Sequence, residues 1–328
     1  GLHGKTSPTI AFLAEYDALP EIGHACGHNL IGTMSVGAGI VLSKMKQSLE
    51  GRIIVLGTPA EESIGGKIMM VRQGVFDDVD AAMMIHPGLK DIKRKWNLAA
   101  TMINVEFQGK PAHAASKPHE GINALDAMIQ LFNNVGLLRQ QVTDDVRIHG
   151  IITYGGAASN IIPDYTSAKF IVRASELSRT YQILERFTHC VKGAALATGA
   201  TENIKIDTDS FYEPLMTNNV LMELYAENMK LLGVNVEEQS SSELGGSSDI
   251  GNVSQVVPAI HPTLKITEDG QELVGHSYEF ARAAKSERAK LGMIRGIQAL
   301  AMCGADLLGN PDVLRAAKEE FRQNMAKK

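Results

Sequence analysis

Six residues in four short stretches carry side chains able to hold a soft or borderline cation. They are Cys26 and His28 in HACGHN, Glu61 and Glu62 in GTPAEES, His86 in MMIHPG and His276 in VGHS. A thiolate and an imidazole two residues apart suit one ion, although an isolated Cys-x-His also reads as a buried thiol beside a hydrogen-bonded histidine. Paired acids are commonly solvated loop residues, yet Glu61 and Glu62 directly follow an apolar run, at the strand end where open α/β sheets gather their ligands. One cysteine, three histidines and a carboxylate favour zinc, manganese, cobalt or nickel over calcium or magnesium. A thiolate shared by two ions would let five ligands serve both and leave room for water, and the spare carboxylate would be the water's general base.

The elements that must position these residues follow from hydrophobic periodicity. Thr9–Ala14, Arg52–Gly57 and Ala81–His86 read as strands buried on both faces, with helices over Leu30–Gln47 and Gly65–Gln73 between them. That alternation predicts a parallel, helix-covered sheet whose one edge collects the candidate ligands. From about Asn97 the rhythm becomes βαββαβ, the ferredoxin-like plan. Its strands are Ala100–Gln108, Arg147–Tyr154, Ala168–Ala174 and Asn203–Tyr212. Its helices are Ile122–Arg139, with Ile122, Leu125, Ile129 and Phe132 on one face, and Ser178–Leu196, with Tyr181, Leu184, Phe187 and Val191 on one face. The fold class is therefore α/β, a helix-covered sheet domain over 1–97 and 213–328 with an α+β domain inserted over 98–212. In the last segment a helix (Asn219–Leu232), a Gly/Ser-rich loop (Ser240–Asn252), a strand near Gln255–Ile260 and a helical tail from about Arg282 are expected.

Composition narrows the function classes. With 32 basic and 37 acidic side chains the formal net charge is −5, which offers no footprint for nucleic acid or an anionic membrane. No unbroken apolar run approaches the ~20 residues of a membrane span. Cys26, Cys190 and Cys303 lie too far apart for a disulfide framework, so a reducing, cytoplasmic setting is expected. The chain opens Gly-Leu-His-Gly without methionine, as a fragment or processed product would. His3, His24, His119, His149, His189 and His261 show no partner spacing, and Cys190 and Cys303 read as small core residues.

Seven ordered motifs, AEYDALP, HACGHNL, GTPAEES, MMIHPG, GKPAHAASKP, SNIIPD and VGHS, span nearly the whole chain. Together they closely resemble the metallopeptidase family of aminoacylases, carboxypeptidases and dipeptidases. Within it they resemble the amidohydrolase branch that contains hippurate hydrolase, p-aminobenzoyl-glutamate hydrolase and Xaa-Arg dipeptidase. The resemblance implies that Cys26 bridges two divalent ions (zinc or manganese, with cobalt or nickel possible), His28 and His86 completing one site and Glu62 and His276 the other. Glu61 would be the general base, and Glu15 stands where many relatives have a ligand histidine. Asp17 would orient a ligand by hydrogen bond, with a turn residue before Pro20 as the alternative. The inserted domain would be the family's lid and dimerisation domain. In it His113 would act on the scissile carbonyl from a homodimer partner, Asn160 would bind substrate and Arg173 would clamp the substrate carboxylate. Relatives also carry further helices and strand before the first motif.

The expected activity is hydrolysis of the amide joining an acyl, aminobenzoyl or aminoacyl group to a free amino acid, on a small N-acyl amino acid or dipeptide. Two alternatives stand beside it. A Cys26/His28 cysteine hydrolase leaves Glu62, His86 and His276 without a role, and a metal-stabilised binding protein leaves one acid of the pair unused.

Overall fold

The computed structural model describes residues 7–45, 49–240, 243 and 245–327. They form two compact units, 1–97 with 215–328, and 98–214. The chain begins with β1 (Thr9–Glu15), α1 (His28–Lys44), β2 (Arg52–Thr58), α2 (Gly66–Arg72), β3 (Ala81–Met83), β4 (His86–Gly88) and β5 (Ile92–Arg94). All seven residues of β1 are buried, as its unbroken apolar run requires. Arg52–Gly57 differs from expectation. Among the described residues β2 pairs only with β1, at the edge of the sheet, and Val55 is exposed. Ala81–His86 is not one strand either. It breaks after Met83, and the chain passes from the first sheet into a second, where β4 begins at His86 and Pro87 supplies no amide donor. The Leu30–Gln47 helix begins two residues early at His28, and Gln47 lies outside the described residues.

The inserted unit contains β6 (Ala99–Gln108), α3 (Ala124–Arg139), β7 (Arg147–Tyr154), β8 (Tyr165–Ala174), α4 (Leu177–Thr198) and β9 (Thr201–Ile206). Its four strands are antiparallel in the order β7-β8-β6-β9. Alternation along β6 and β8 buries Val105, Phe107, Phe170 and Val172 against Leu131, Phe187 and Val191 of the helices. The expected helix faces were partly misplaced. Asn123 caps α3, leaving Ile122 outside it, and the buried stripe runs through Ala127, Met128, Leu131 and Val135 while Ile129 is half exposed. Tyr181 is exposed on α4, where Leu184, Phe187 and Val191 are buried. The last strand ends at Ile206, although Tyr212 still pairs with Ala100.

The first unit resumes at Leu215, so the second boundary falls after Pro214 rather than after Tyr212. It continues with α5 (Asn219–Leu231), β10 (Glu237–Glu238), α6 (Ile250–Ser254), β11 (Ala259–Ile260), β12 (Thr263–Lys265), α7 (Tyr278–Ala283), α8 (Glu287–Gly309) and α9 (Pro311–Met325). The strand expected over Gln255–Ile260 shrinks to β11, because the amides of Gln255, Val256 and Val257 turn back to Asn252 and Val253 at the end of the Ile250–Ser254 helix. Ser241, Ser242 and Leu244 of the expected loop lie outside the described residues. The helical tail is three helices, with Ser277, Ser286 and Asn310 as side-chain caps. The first sheet runs β11-β3-β1-β2, all parallel, and the second β10-β5-β12-β4. The 23-residue α8, although interrupted by charged residues, contains an 18-residue window with a mean hydropathy of 1.3 and is by length and composition alone long and apolar enough to cross a membrane. In this fold α8 is a core helix. A Cβ added at its Gly296 would lie 2.1 Å from Met34 Sδ of α1, the close approach of two packed helices.

Candidate metal centre

Four chain segments of the first unit converge at the carboxyl end of β1. The loop after β1 carries Asp17, Cys26 and the start of α1 at His28. Its Gly27 holds φ 83°, and a Cβ there would lie 2.4 Å from Pro87 Cγ, so only glycine lets Cys26 and His28 flank the start of β4. The loop after β2 carries Glu61 and Glu62 behind Ala60, a non-glycine at φ 62° whose carbonyl accepts from the Gly65 amide at 2.9 Å. His86 opens β4. His276 arrives just before α7 at φ 59°, its amide donating to Ala25 O at 3.1 Å. Two non-glycine residues in the left-handed region within one site store strain of the kind that accompanies function.

The ligand atoms fall into two sets that share one member. Cys26, His28 and His86 form one, and Cys26, Glu62 and His276 the other, the atoms of each within 4.8 Å of one another. Cys26 Sγ lies 3.5 Å from His86 Nε2. Glu62 Oε1 lies 3.5 Å from His276 Nε2 and 3.8 Å from His28 Nε2. The tautomers are fixed from behind. His86 Nδ1 donates to the Pro87 carbonyl at 2.7 Å, which leaves Nε2 as the lone pair. Asp17 takes His28 Nδ1 at 3.2 Å and the Glu62 amide at 3.0 Å. His28 Nε2, Glu62 Oε1 and Glu15 Oε2 are buried with no hydrogen-bond partner. Lone pairs aimed at one point without donors are costly unless a cation receives them, so this donor set fits divalent ions.

Electrostatics say the same. Burial raises the Cys26 thiol far above its usual range, and the Glu62 and Glu61 charges add to it. Burial likewise pushes Glu61 up to about 8, helped by Glu15 and opposed by Lys67. Burial depresses His86, with Lys95 adding to the effect, whereas for His28 the Asp17 hydrogen bond and the Glu15 charge outweigh burial and lift it to about 9. So much uncompensated acid in one place calls for positive charge. The Cys26/His28 hydrolase loses its footing here. The imidazole within reach of Sγ is His86, and His28 is engaged by Asp17 instead.

Several participants escaped the sequence reading. Lys67, wholly buried at the start of α2, donates through Nζ to Glu15 Oε1 and to Asp249 Oδ1 (2.7 Å), while its amide donates to Asp249 Oδ2 at 2.8 Å. Burial opposes the charge on Lys67, but Asp249 and Glu15 outweigh it and its pKa rises. His261 is buried with both ring nitrogens unpartnered, its ring centroid 5.4 Å from that of His86. A lysine in GGKIMM and a histidine in IHPT carry no spacing signal. The only clue lay in Glu15, an acid ending a fully apolar strand. Lys95 lines the cavity beside the ligands, and burial lowers its pKa against the pull of Cys26, Glu61 and Glu15.

The other expected residues lie in the inserted unit. His113 is bridged in the backbone to Ile161, and its Nδ1 accepts from the Ala115 and Ser116 amides, both at 3.2 Å. Asn160 O accepts from the Ala114 amide at 3.1 Å, so the PAHAAS and SNIIP motifs are neighbours. Arg173 sits on β8, half-buried, its Nε 3.4 Å from His149 Nε2.

A model of the peptidase family M20/M25/M40 matches residues 11–282. The chain belongs to that family. It is 39% identical to the Xaa-Arg dipeptidase of Mus musculus over 325 residues, covering 97% of this chain and 74% of that relative. It is 35% identical to one of the chains of the p-aminobenzoyl-glutamate hydrolase of Escherichia coli over 228 residues, 62% of this chain and 47% of the relative. A dinuclear metal-binding peptidase of the family from Bacillus subtilis shares the fold, with a TM-score of 0.68 at 19% identity over 92% of this chain and 82% of that one. This is the family that the seven motifs resemble, and with it come hydrolysis of an amide bond and a requirement for divalent metal ions.

Membership of Cys26 in both groups gives a test of whether it would serve two ions. Cys26→Ala should lose ions from both sites, whereas His276→Ala should lose them from one, by elemental analysis after gel filtration. Two ions retained by Cys26→Ala would sink the bridging assignment.

Proposed function

We propose that this hydrolase releases a free amino acid from an N-acyl, N-aminobenzoyl or N-aminoacyl conjugate, using two ions, zinc or manganese, with cobalt or nickel able to replace them. The observation that carries the reading is the pair of ligand sets joined at Cys26, with Glu61 beside His28 and Glu62. His28 and His86 would hold one ion, Glu62 and His276 the other, and Cys26 both. When bound, the ions polarise the scissile carbonyl and lower the pKa of water. Glu61 takes the proton from the attacking water and returns it to the leaving amine. Asp17 keeps His28 in the tautomer that presents Nε2.

The inserted unit serves as lid and dimerisation domain in the same proposal. His113 hydrogen-bonds the carbonyl oxygen in the site of the partner subunit, and Asn160 and Arg173 hold the substrate's α-carboxylate, Arg173 as a planar fork. A cytoplasmic setting is supported by three free cysteines.

The test is a mixed panel of N-acyl amino acids, p-aminobenzoyl-glutamate and dipeptides with acidic or basic carboxy-terminal residues. The protein is incubated with it after reconstitution with zinc or manganese, and released amino acids are read by mass spectrometry with and without chelator. At least one member should be cleaved, and chelator should abolish it. Turnover that survives full metal removal would overturn the two-ion reading, and a monomer by sedimentation under assay conditions would remove the partner's part in it.

A further inference from the structure

The stretch KDIKRK from Lys90 to Lys95 carries four cations whose surroundings differ. Lys93 donates to Glu223 at 2.6 Å, and the Arg94 guanidinium to Glu238 and Asn219. Lys95 has no hydrogen bond or ion pair among the described residues. It lines a cavity of about 410 Å³ whose wall also carries Cys26, His86 and His276. Lys90 and Glu243 are the other charged residues of that wall, and Glu243 makes no ion pair with Lys95.

An ammonium drawn into a wall beside Pro87, Ile92 and Phe280 gives up hydration, and the acids that pull on it, Glu61 and Glu15, make no ion pair with it among the described residues. With ions bound it would also face Cys26, His86 and His276, the residues that would hold them, a repulsive arrangement unless an anion lies between. On the hydrolase reading above, the molecule that enters a cavity bordered by Cys26, His86 and His276 would be the substrate. A volume in the few-hundred-Å³ range suits one small molecule.

We propose that Lys95 determines specificity by receiving a side-chain carboxylate of the amino acid to be released, so that conjugates of glutamate or aspartate are the favoured substrates. This rests on the reading above, in which Asn160 and Arg173 hold the α-carboxylate and Lys95 is left for a second acid. The ammonium, a compact charge on a flexible stem, can follow a carboxylate at the end of either acidic side chain.

The experiment compares kcat/KM for p-aminobenzoyl-glutamate and p-aminobenzoyl-glutamine in the metal-loaded parent, Lys95→Met and Lys95→Arg. The parent should prefer the glutamate conjugate by about 10-fold or more. Lys95→Met should lose about 10- to 100-fold on it, mainly through KM, and less than about 3-fold on the glutamine conjugate, the size of one charge-assisted hydrogen bond. Lys95→Arg should keep most of the preference. An equal fall on both conjugates would put Lys95 on the α-carboxylate or in a structural role, and either overturns the proposal. A parent that treats the two alike, or prefers arginine conjugates, does so as well. Calorimetric titration of the same metal-loaded proteins with free glutamate and free glutamine separates this failure from that of the hydrolase reading. Glutamate preference that disappears in Lys95→Met upholds the acidic subsite even where neither conjugate is cleaved, and then the substrate reading is what fails. Equal binding of the two amino acids by the parent sinks the subsite.

Discussion

Glu61→Gln should retain its fold and both ions and lose about 10²–10⁴-fold in kcat, the usual worth of a general base. The amide is nearly isosteric with the carboxylate but cannot accept a proton from water. Glu61 stands within one group with His28 and Glu62 and within another with Glu15 and Asp249, so it borders the ligands on one side and the buried acids on the other. Glu62→Gln should behave differently, depleting one ion, because Glu62 Oε1 is the buried oxygen that meets His276 and His28. Turnover of the best panel substrate, with ion content measured on the same samples, separates the two. Parent-like turnover in Glu61→Gln would mean that another group takes the proton.

Lys67→Met should be among the most destabilising single changes in the first unit. Glu15, Lys67 and Asp249 are all buried to 1% exposure or less, and Lys67 is the cation shared by the two carboxylates. Removing one member of such a group typically costs about 3–5 kcal/mol, because the remaining charges stay buried and uncompensated. Chemical denaturation of the metal-free protein reads this directly. Adding Glu15→Gln to Lys67→Met should recover part of the loss, since it removes one stranded charge. A cost below about 1 kcal/mol for Lys67→Met, in the range of exposed pairs, would show that solvent reaches the triad.

Candidate ligands stood out in the sequence because metal chemistry restricts residue types and because they flank short apolar runs. The fold brings the candidate atoms of Cys26, His28, Glu62, His86 and His276 into close groups, and it adds Glu61, Glu15 and Asp249 to further ones. What surrounds them was not legible, for definite physical reasons. Lys67 looks like any surface lysine until α2 turns it inward, and its partners lie 52 and 182 residues away. His261 has no spacing to any ligand, since β12 and β4 bring it beside His86 only through a parallel pairing across the second sheet. The break after Met83 escaped notice because an apolar run looks the same whether it stays in one sheet or passes into another. The α3 stripe is hidden for a similar reason. Large residues such as Ile129 drew the reading, while small ones such as Ala127 line the core. Neither was the edge position of β2 readable, since RIIVLG is apolar enough for a centre.

The neck between residues 97 and 215 bears on the order in which the molecule assembles. Leu215 N donates to Asn97 O at 3.3 Å, and just inside the insertion Ala100 and Tyr212 exchange backbone hydrogen bonds at 3.0 and 2.9 Å. During synthesis the inserted unit is finished while the first unit still lacks α5, α8 and β12, and with them Tyr225, Leu264 and Leu300 of its main core. By folding first, the insertion draws its own ends together and shortens the loop that the later-arriving segment must close, a step whose entropic cost grows with chain length. His276, the last of the candidate ligands to leave the ribosome, then joins residues 26 to 86 across a gap that the clasped neck has already closed.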